Sequence, residues 1–197
     1  MAGPFGEMRG PEDVEDAVLA ALEKWLPTYL REVERLYSLD KGAIPAVRSY
    51  SIVSDYERYP QEQLPAVTIE ASGLIAGSLS KDGGGYYSGK YAVEVSVTTA
   101  ADEGVAARKM AERYGLAVKG ALLQHASLDN DAMVTDWVDE SVVGENDKRQ
   151  RRITCANAFE VELQNVISTR KGPSEPDPDP GDGATVQEVD VNTEVRE

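Results

Sequence analysis

The chain has 197 residues, 35 acidic against 20 basic side chains, and a formal net charge of -15, so its surface repels nucleic acid and anionic lipid unless charge is sorted locally. That length suits one well-cored domain with some chain left for tails. The lone Cys155 and lone His125 exclude a zinc site, a disulfide framework and a Cys/His nucleophile pair, so no metal, no cofactor and no catalytic residue is assigned.

No run of about 18 apolar residues exists to span a bilayer. The opening "MAGPFGEMRGPEDVEDAV" lacks the basic flank and apolar core of a secretion signal, which predicts a protein that stays in the cytoplasm where it is made. Residues 1–10 read as an N-terminal arm. From Pro11, apolar residues recur at helical spacing: Val14, Val18, Leu22, Trp25, Leu26, Tyr29, Leu30, Val33 and Leu36. Pro11 suits a first helical turn, and the acids at 12, 13, 15 and 16 suit its positive end. Pro27 removes one internal hydrogen bond, which predicts two segments, 12–26 and 27–37.

Two runs rich in Val, Ile and Tyr follow, "RSYSIVSDY" and "AVTIEASGLIA". They are bounded by turn residues and linked by "YPQEQLP", so they read as strands able to pair as a hairpin. Next comes "SLSKDGGGYYSG", a mobile loop by composition. Then "KYAVEVSVTTA" alternates strictly and predicts a half-buried strand. It runs directly into "ADEGVAARKMAERYGLAVKGALLQH", where Ala107, Met110, Ala111, Tyr114, Ala117, Val118, Ala121 and Leu122 share a helical face. Asp102 and Glu103 at its start, and Lys119 and His125 at its end, complement the helix dipole.

Two closing strands, "DAMVTDWVDESVV" and "RRITCANAFEVELQNVI", are joined by the polar turn "GENDKRQ". In the second, Ile153, Cys155, Phe159, Val161 and Leu163 share one face. Strands outnumber crossovers, which predicts an α+β fold: a mostly antiparallel sheet of about four to five strands with two main helices packed on one face. The domain is expected over 11–168, followed by a C-terminal tail over 169–197. Beyond Lys171 the tail is rich in Pro, Gly and acid, with eight acids against one arginine.

Several patterns suggest chemistry. "GGYYSGKY" comes close to a phosphate-binding loop, but Tyr91 stands where a magnesium-holding Ser or Thr is needed, and Lys90 begins a strand rather than a helix. A glycine-rich connection between strands is the better reading. Its residues Lys81, Asp82, Gly83, Gly84, Gly85, Tyr86 and Tyr87 are candidates to order against a partner. Acid pairs such as Asp55 with Glu57, or Asp136 with Glu140, share a strand face by period two, yet nothing marks a pocket around them and a solvated face explains them. His125 reads as a helix-end charge and Cys155 as a small buried core residue. The basic turn holding Lys148, Arg149, Arg151 and Arg152 favours contact with an acidic protein surface, including another copy of this chain, over contact with DNA. In "VDVNTEV", Val189, Val191 and Val195 alternate with polar residues. That is strand periodicity on a tether, suited to pairing with the sheet edge of a neighbouring subunit, although a solubilising tail would look the same.

The order of elements, from the N-terminal helix through "SYSIVSDYERYPQEQLPAVTIEASG" and "GKYAVEVSVTTAADEGVAARKMAERYGLAVKGALLQH" to the closing strands, resembles the tail terminator proteins of long-tailed bacteriophages, especially those of actinobacterial hosts. The resemblance covers residues 11–168 and carries over no functional residue by motif. It implies a virion protein of the tail or neck, assembled in the host cytoplasm as a hexameric ring. Such a ring would cap the tail tube, stop its polymerisation and meet the head-tail connector protein, with DNA only as passing cargo and no membrane. A neighbouring neck ring and, in a different class, a small cytoplasmic enzyme using carboxylate or Tyr chemistry are the alternatives.

Overall fold

The computed structural model describes residues 9–52, 61–81, 85–101, 104–128, 132–146 and 151–168. The elements in chain order are α1 (Pro11–Leu36), β1 (Ser49–Ile52), a 3-10 turn (Gln61–Gln63), β2 (Ala66–Leu74), β3 (Ser80–Lys81), β4 (Tyr86–Ala101), α2 (Gly104–Gln124), β5 (Ala132–Asn146) and β6 (Arg151–Ser168). The strands form one six-stranded sheet in the order β1-β2-β4-β6-β5, with β3 pairing β4. The predicted α+β class and the two helices on one face are both present.

The alternation read in the sequence decides what is inside. Val67 and Ile69 of β2, Tyr91, Val93, Val95 and Val97 of β4, and Phe159, Val161 and Leu163 of β6 all face the helices and are buried. They meet Val14, Val18, Leu22, Leu26 and Leu30 of α1 and Tyr114, Ala117, Val118 and Ala121 of α2 in one core. Each large aliphatic side chain buried there contributes about 1.5–3 kcal/mol.

Three expectations change. Pro27 does not split the helix: α1 is continuous from Pro11 to Leu36. The proline sits on the exposed side, where water can satisfy the forgone carbonyl of Glu23, while Leu22, Leu26 and Leu30 hold the buried stripe together. β1 and β2 do not form a hairpin; they pair in parallel, Ser49 with Ala66 through Ile52 with Ile69. The connection folds back to the start of β1 before β2 begins: Ser49 Oγ donates to the Gln63 carbonyl at 2.9 Å and Arg48 N to the Pro65 carbonyl at 2.9 Å. The stretch expected as a mobile loop contains β3 and the first four residues of β4, with Ser80 opposite Ser88 and Lys81 opposite Tyr87. Asp102 and Glu103, expected at the start of α2, lie outside the described residues.

Candidate interaction surface

Both helices lie on one side of the sheet, and no described element covers the other side. Across it the register builds rows of side chains. Glu70 of β2 lies opposite Glu94 of β4, which lies opposite Ala158 of β6, which lies opposite Asp139 of β5. In the next row stand Ala92, Glu160 and Asp136, and beyond it Lys90, Glu162 and Met133. Glu70, Glu94, Asp136 and Asp139 are exposed, and Glu160 and Glu162 are half-buried. Away from these acids the face is neutral: Ser96, Thr98, Thr154 and Ala156, with the Thr98 and Thr154 hydroxyls 2.9 Å apart, and exposed Val143 opposite Thr154.

The face is therefore acidic. Among the described residues its basic side chains are Lys90 near one end and Arg152 near the other. Lys90 Nζ donates to Glu160 Oε2 at 2.8 Å, and that hydrogen bond, with the nearby carboxylates of Glu162 and Asp136, raises the lysine pKa above its ordinary value. Lys90 lies within β4 and is paired with a carboxylate, so the rejection of the phosphate-loop reading stands.

The predicted contact residues separate to opposite ends. Gly85, with φ +86, turns into β4, and Tyr86 and Tyr87 pair with Ser168 and Ile167. At the far end Arg151 and Arg152 begin β6 opposite Ala101 and Ala100. The length of β4 puts about 50 Å between the two ends. Lys81 is exposed on β3. Asp82, Gly83, Gly84, Lys148, Arg149, Val189, Val191 and Val195 lie outside the described residues, as do Asp55 and Glu57.

Asp136 and Glu140 do not share a face. Two bulges on β5, between Val134 and Asp136 and between Trp137 and Asp139, shift the alternation, so Asp136 pairs with Glu160 on the side away from the helices and Glu140 with Asn157 under α2. There Glu140 is not merely solvated. It accepts from Lys119 Nζ at 2.8 Å, and its other oxygen lies 3.5 Å from Cys155 Sγ. Lys119 also sits 4.7 Å from the centre of the Trp137 ring. Cys155 is buried as predicted, and burial followed by the Glu140 charge pushes its thiol up to about 12, which makes it a poor nucleophile. Asn157 is fully buried beside it, and its Oδ1 has no hydrogen-bond partner among the described residues. This polar cluster was not legible in the sequence, because the bulges that assemble it have no signal there.

His125 lies just past the end of α2, where it stacks on Trp25 of α1 with ring centroids 3.7 Å apart. The Tyr29 hydroxyl donates to Gln124 Oε1 at 2.8 Å and lies 3.2 Å from Nε2 of His125. At the helix end where it was expected, the histidine also joins the two helices.

No protein-family model matches the chain, and no curated protein matches it. Among solved structures, one titled "Virion of native gene transfer agent (GTA) particle" contains a similar chain, with 18% identity over 74% of this chain and 98% of that one and a TM-score of 0.38. A superposition that loose carries no argument about function.

Proposed function

We propose that this chain is a structural virion protein that assembles into a ring, hexameric by its resemblance to tail terminators. The ring caps a tail tube, stops its growth and joins the tail to the head connector. The observation that carries the reading is the two-sided sheet. One side is closed by α1 and α2, and the other, which no described element covers, is acidic along its centre. Such a surface suits the lumen of a ring through which DNA passes, because phosphate contacts are what would hold DNA back and a carboxylate face makes none.

The separation of the two loop ends supports the same reading. A ring between a tube and a connector needs two unlike contact surfaces, and a head-to-tail ring interface needs two unlike patches on each copy. The Lys81–Tyr87 end and the basic end at Arg151 and Arg152 are far apart on one rigid sheet and differ in chemistry. Docking of the ring would bury the tube's addition surface, with residues 82–84 ordering against tube or neighbour.

Deleting residues 82–84, which leaves β3 and β4 intact, tests this in the assembling particle. Over-long tubes or tails unjoined to heads are expected; tails of normal length joined to heads would count against it. Changing Arg149 and Arg151 to Glu probes the other end, where unaffected assembly would remove the basis for a contact there.

A further inference from the structure

The helix-side face of the sheet runs further than the helices that cover it. α1 starts at Pro11, and its Asp13 lies close enough to Tyr91 that the carboxylate adds to burial in raising the phenol pKa. Beyond Tyr91, toward the start of β4, come Gly89 and Tyr87, and among the described residues no helix lies over them. The side chains of Leu74 and Leu79 fold across Gly89 instead: a Cβ added there would collide with Leu74 Cδ1 and come within 3.5 Å of Leu79 Cδ1. Leu74, Leu79 and Ile167, which pairs with Tyr87, remain 40%, 46% and 41% exposed. The result is an apolar ledge on the face that is otherwise core.

We propose that residues 1–8 of the same chain cover this ledge, with Phe5 as the anchor. The chain is delivered to the spot. Arg9 N donates to the Val166 carbonyl at 3.0 Å, on the last turn of strand before Ile167, and Gly10 N is held by Asp13 Oδ2 at 2.8 Å. Residue 9 is thereby fixed at the border of the ledge, on the side of the sheet where α1 sits. Phe5 stands four positions earlier, a reach of about 13 Å when extended. From β6 across β4 to Leu79 is about 10 Å at ordinary strand spacing. The segment "MAGPFGEM" contains one charge, Glu7, and one large ring, so its chemistry matches a leucine-lined ledge.

The ledge adjoins the Gly85–Tyr87 turn, so arm and assembly partner would compete for neighbouring surface. That consequence rests on the ring reading; the covering itself does not.

The test places a nitroxide on an Ala2→Cys variant of the full chain, where buried Cys155 stays unlabelled, and follows methyl signals of Leu74 and Leu79. Strong broadening of both is expected, and it should disappear when Phe5→Ser is added. Amide exchange at Ile75 and Ser78 should then quicken by about five-fold or more, while the centre of β6 stays unchanged as proof of an intact fold. Unbroadened leucines, or exchange indifferent to Phe5→Ser, would overturn the proposal. Broadening seen only between labelled and isotope-marked copies would also overturn it, by assigning the ledge to a neighbouring chain.

Discussion

Gly115 is where α2 comes closest to the sheet, and Gly115→Ala measures how much that approach matters. An added Cβ would lie 2.5 Å from Cys155 Sγ, 2.9 Å from Glu140 Oε1 and 3.3 Å from Asn157 Nδ2, while ordinary contact begins at 3.4 Å. The glutamate is the end of a flexible side chain, but Cys155 is fully buried with a single rotatable bond, so α2 must lift by about 0.9 Å at this point. Overpacking of this kind costs about 1–3 kcal/mol. The better helix propensity of alanine returns about 1 kcal/mol, leaving a net loss of about 0–2 kcal/mol. Urea unfolding at neutral pH gives the number. Cys155→Ala removes the nearest obstacle, so in a double-mutant cycle the two changes should couple favourably by about 1 kcal/mol. If Gly115→Ala instead stabilises by the propensity term alone, the close approach of α2 to β6 is wrong.

Other consequences follow from named contacts. Ala71 N donates to Glu15 Oε1 at 2.8 Å beside the irregularity in β2, and Glu15 is almost fully buried. Glu15→Ala leaves that amide unsatisfied and should cost about 1–3 kcal/mol in unfolding, whereas Glu15→Gln keeps an acceptor and should lose less. The Cys155 thiol is raised from 9.0 to about 12, so between those values the unfolded state gives up its proton first and binds fewer protons than the native state. Stability must then fall as pH rises above 9, by up to about 1.4 kcal/mol per pH unit. Tyr50, raised from 10.0 to about 12 by burial and then by Glu23, adds its own loss above pH 10. Unfolding curves between pH 9 and 10 should therefore lose this slope in Cys155→Ser, and an unchanged slope would show that the thiol is not shielded. Glu94 directly opposes Glu70, so Glu94→Lys should stabilise the isolated protein by about 0.2–1 kcal/mol. In particles the same change should slow DNA passage if this face lines the lumen, so a gain in stability with no effect on delivery would place the face elsewhere.

What the sequence reveals depends on how local its cause is. Strand β6 was readable because Ile153, Cys155, Phe159, Val161 and Leu163 alternate on one face, broken only by buried Asn157, and both helices were readable from their apolar stripes. The bulges of β5 were not. Nothing in "MVTDWVDES" announces that two residues will be left over against β6, and those two residues decide that Glu140 meets Lys119 while Asp136 faces solvent. The parallel pairing of β1 was also hidden, because it depends on where the chain has travelled between Ile52 and Ala66 rather than on the composition of either strand. Pro27 shows the converse: a strong local signal was outweighed by the buried stripe on both sides of it. Of the surface, the acidity of the face away from the helices was present as Glu94, Glu160 and Glu162 in the alternating strands. Its coherence required register, since only pairing places Glu70 and Asp136 beside them.

Electron microscopy of the purified protein, alone and mixed with tail tubes, tests the ring most directly. The account predicts rings with a central hole, or added density capping one end of a tube, with the Glu94 and Glu160 face turned inward. Persistent monomers that leave tube ends bare, or rings with that face turned outward, would contradict it.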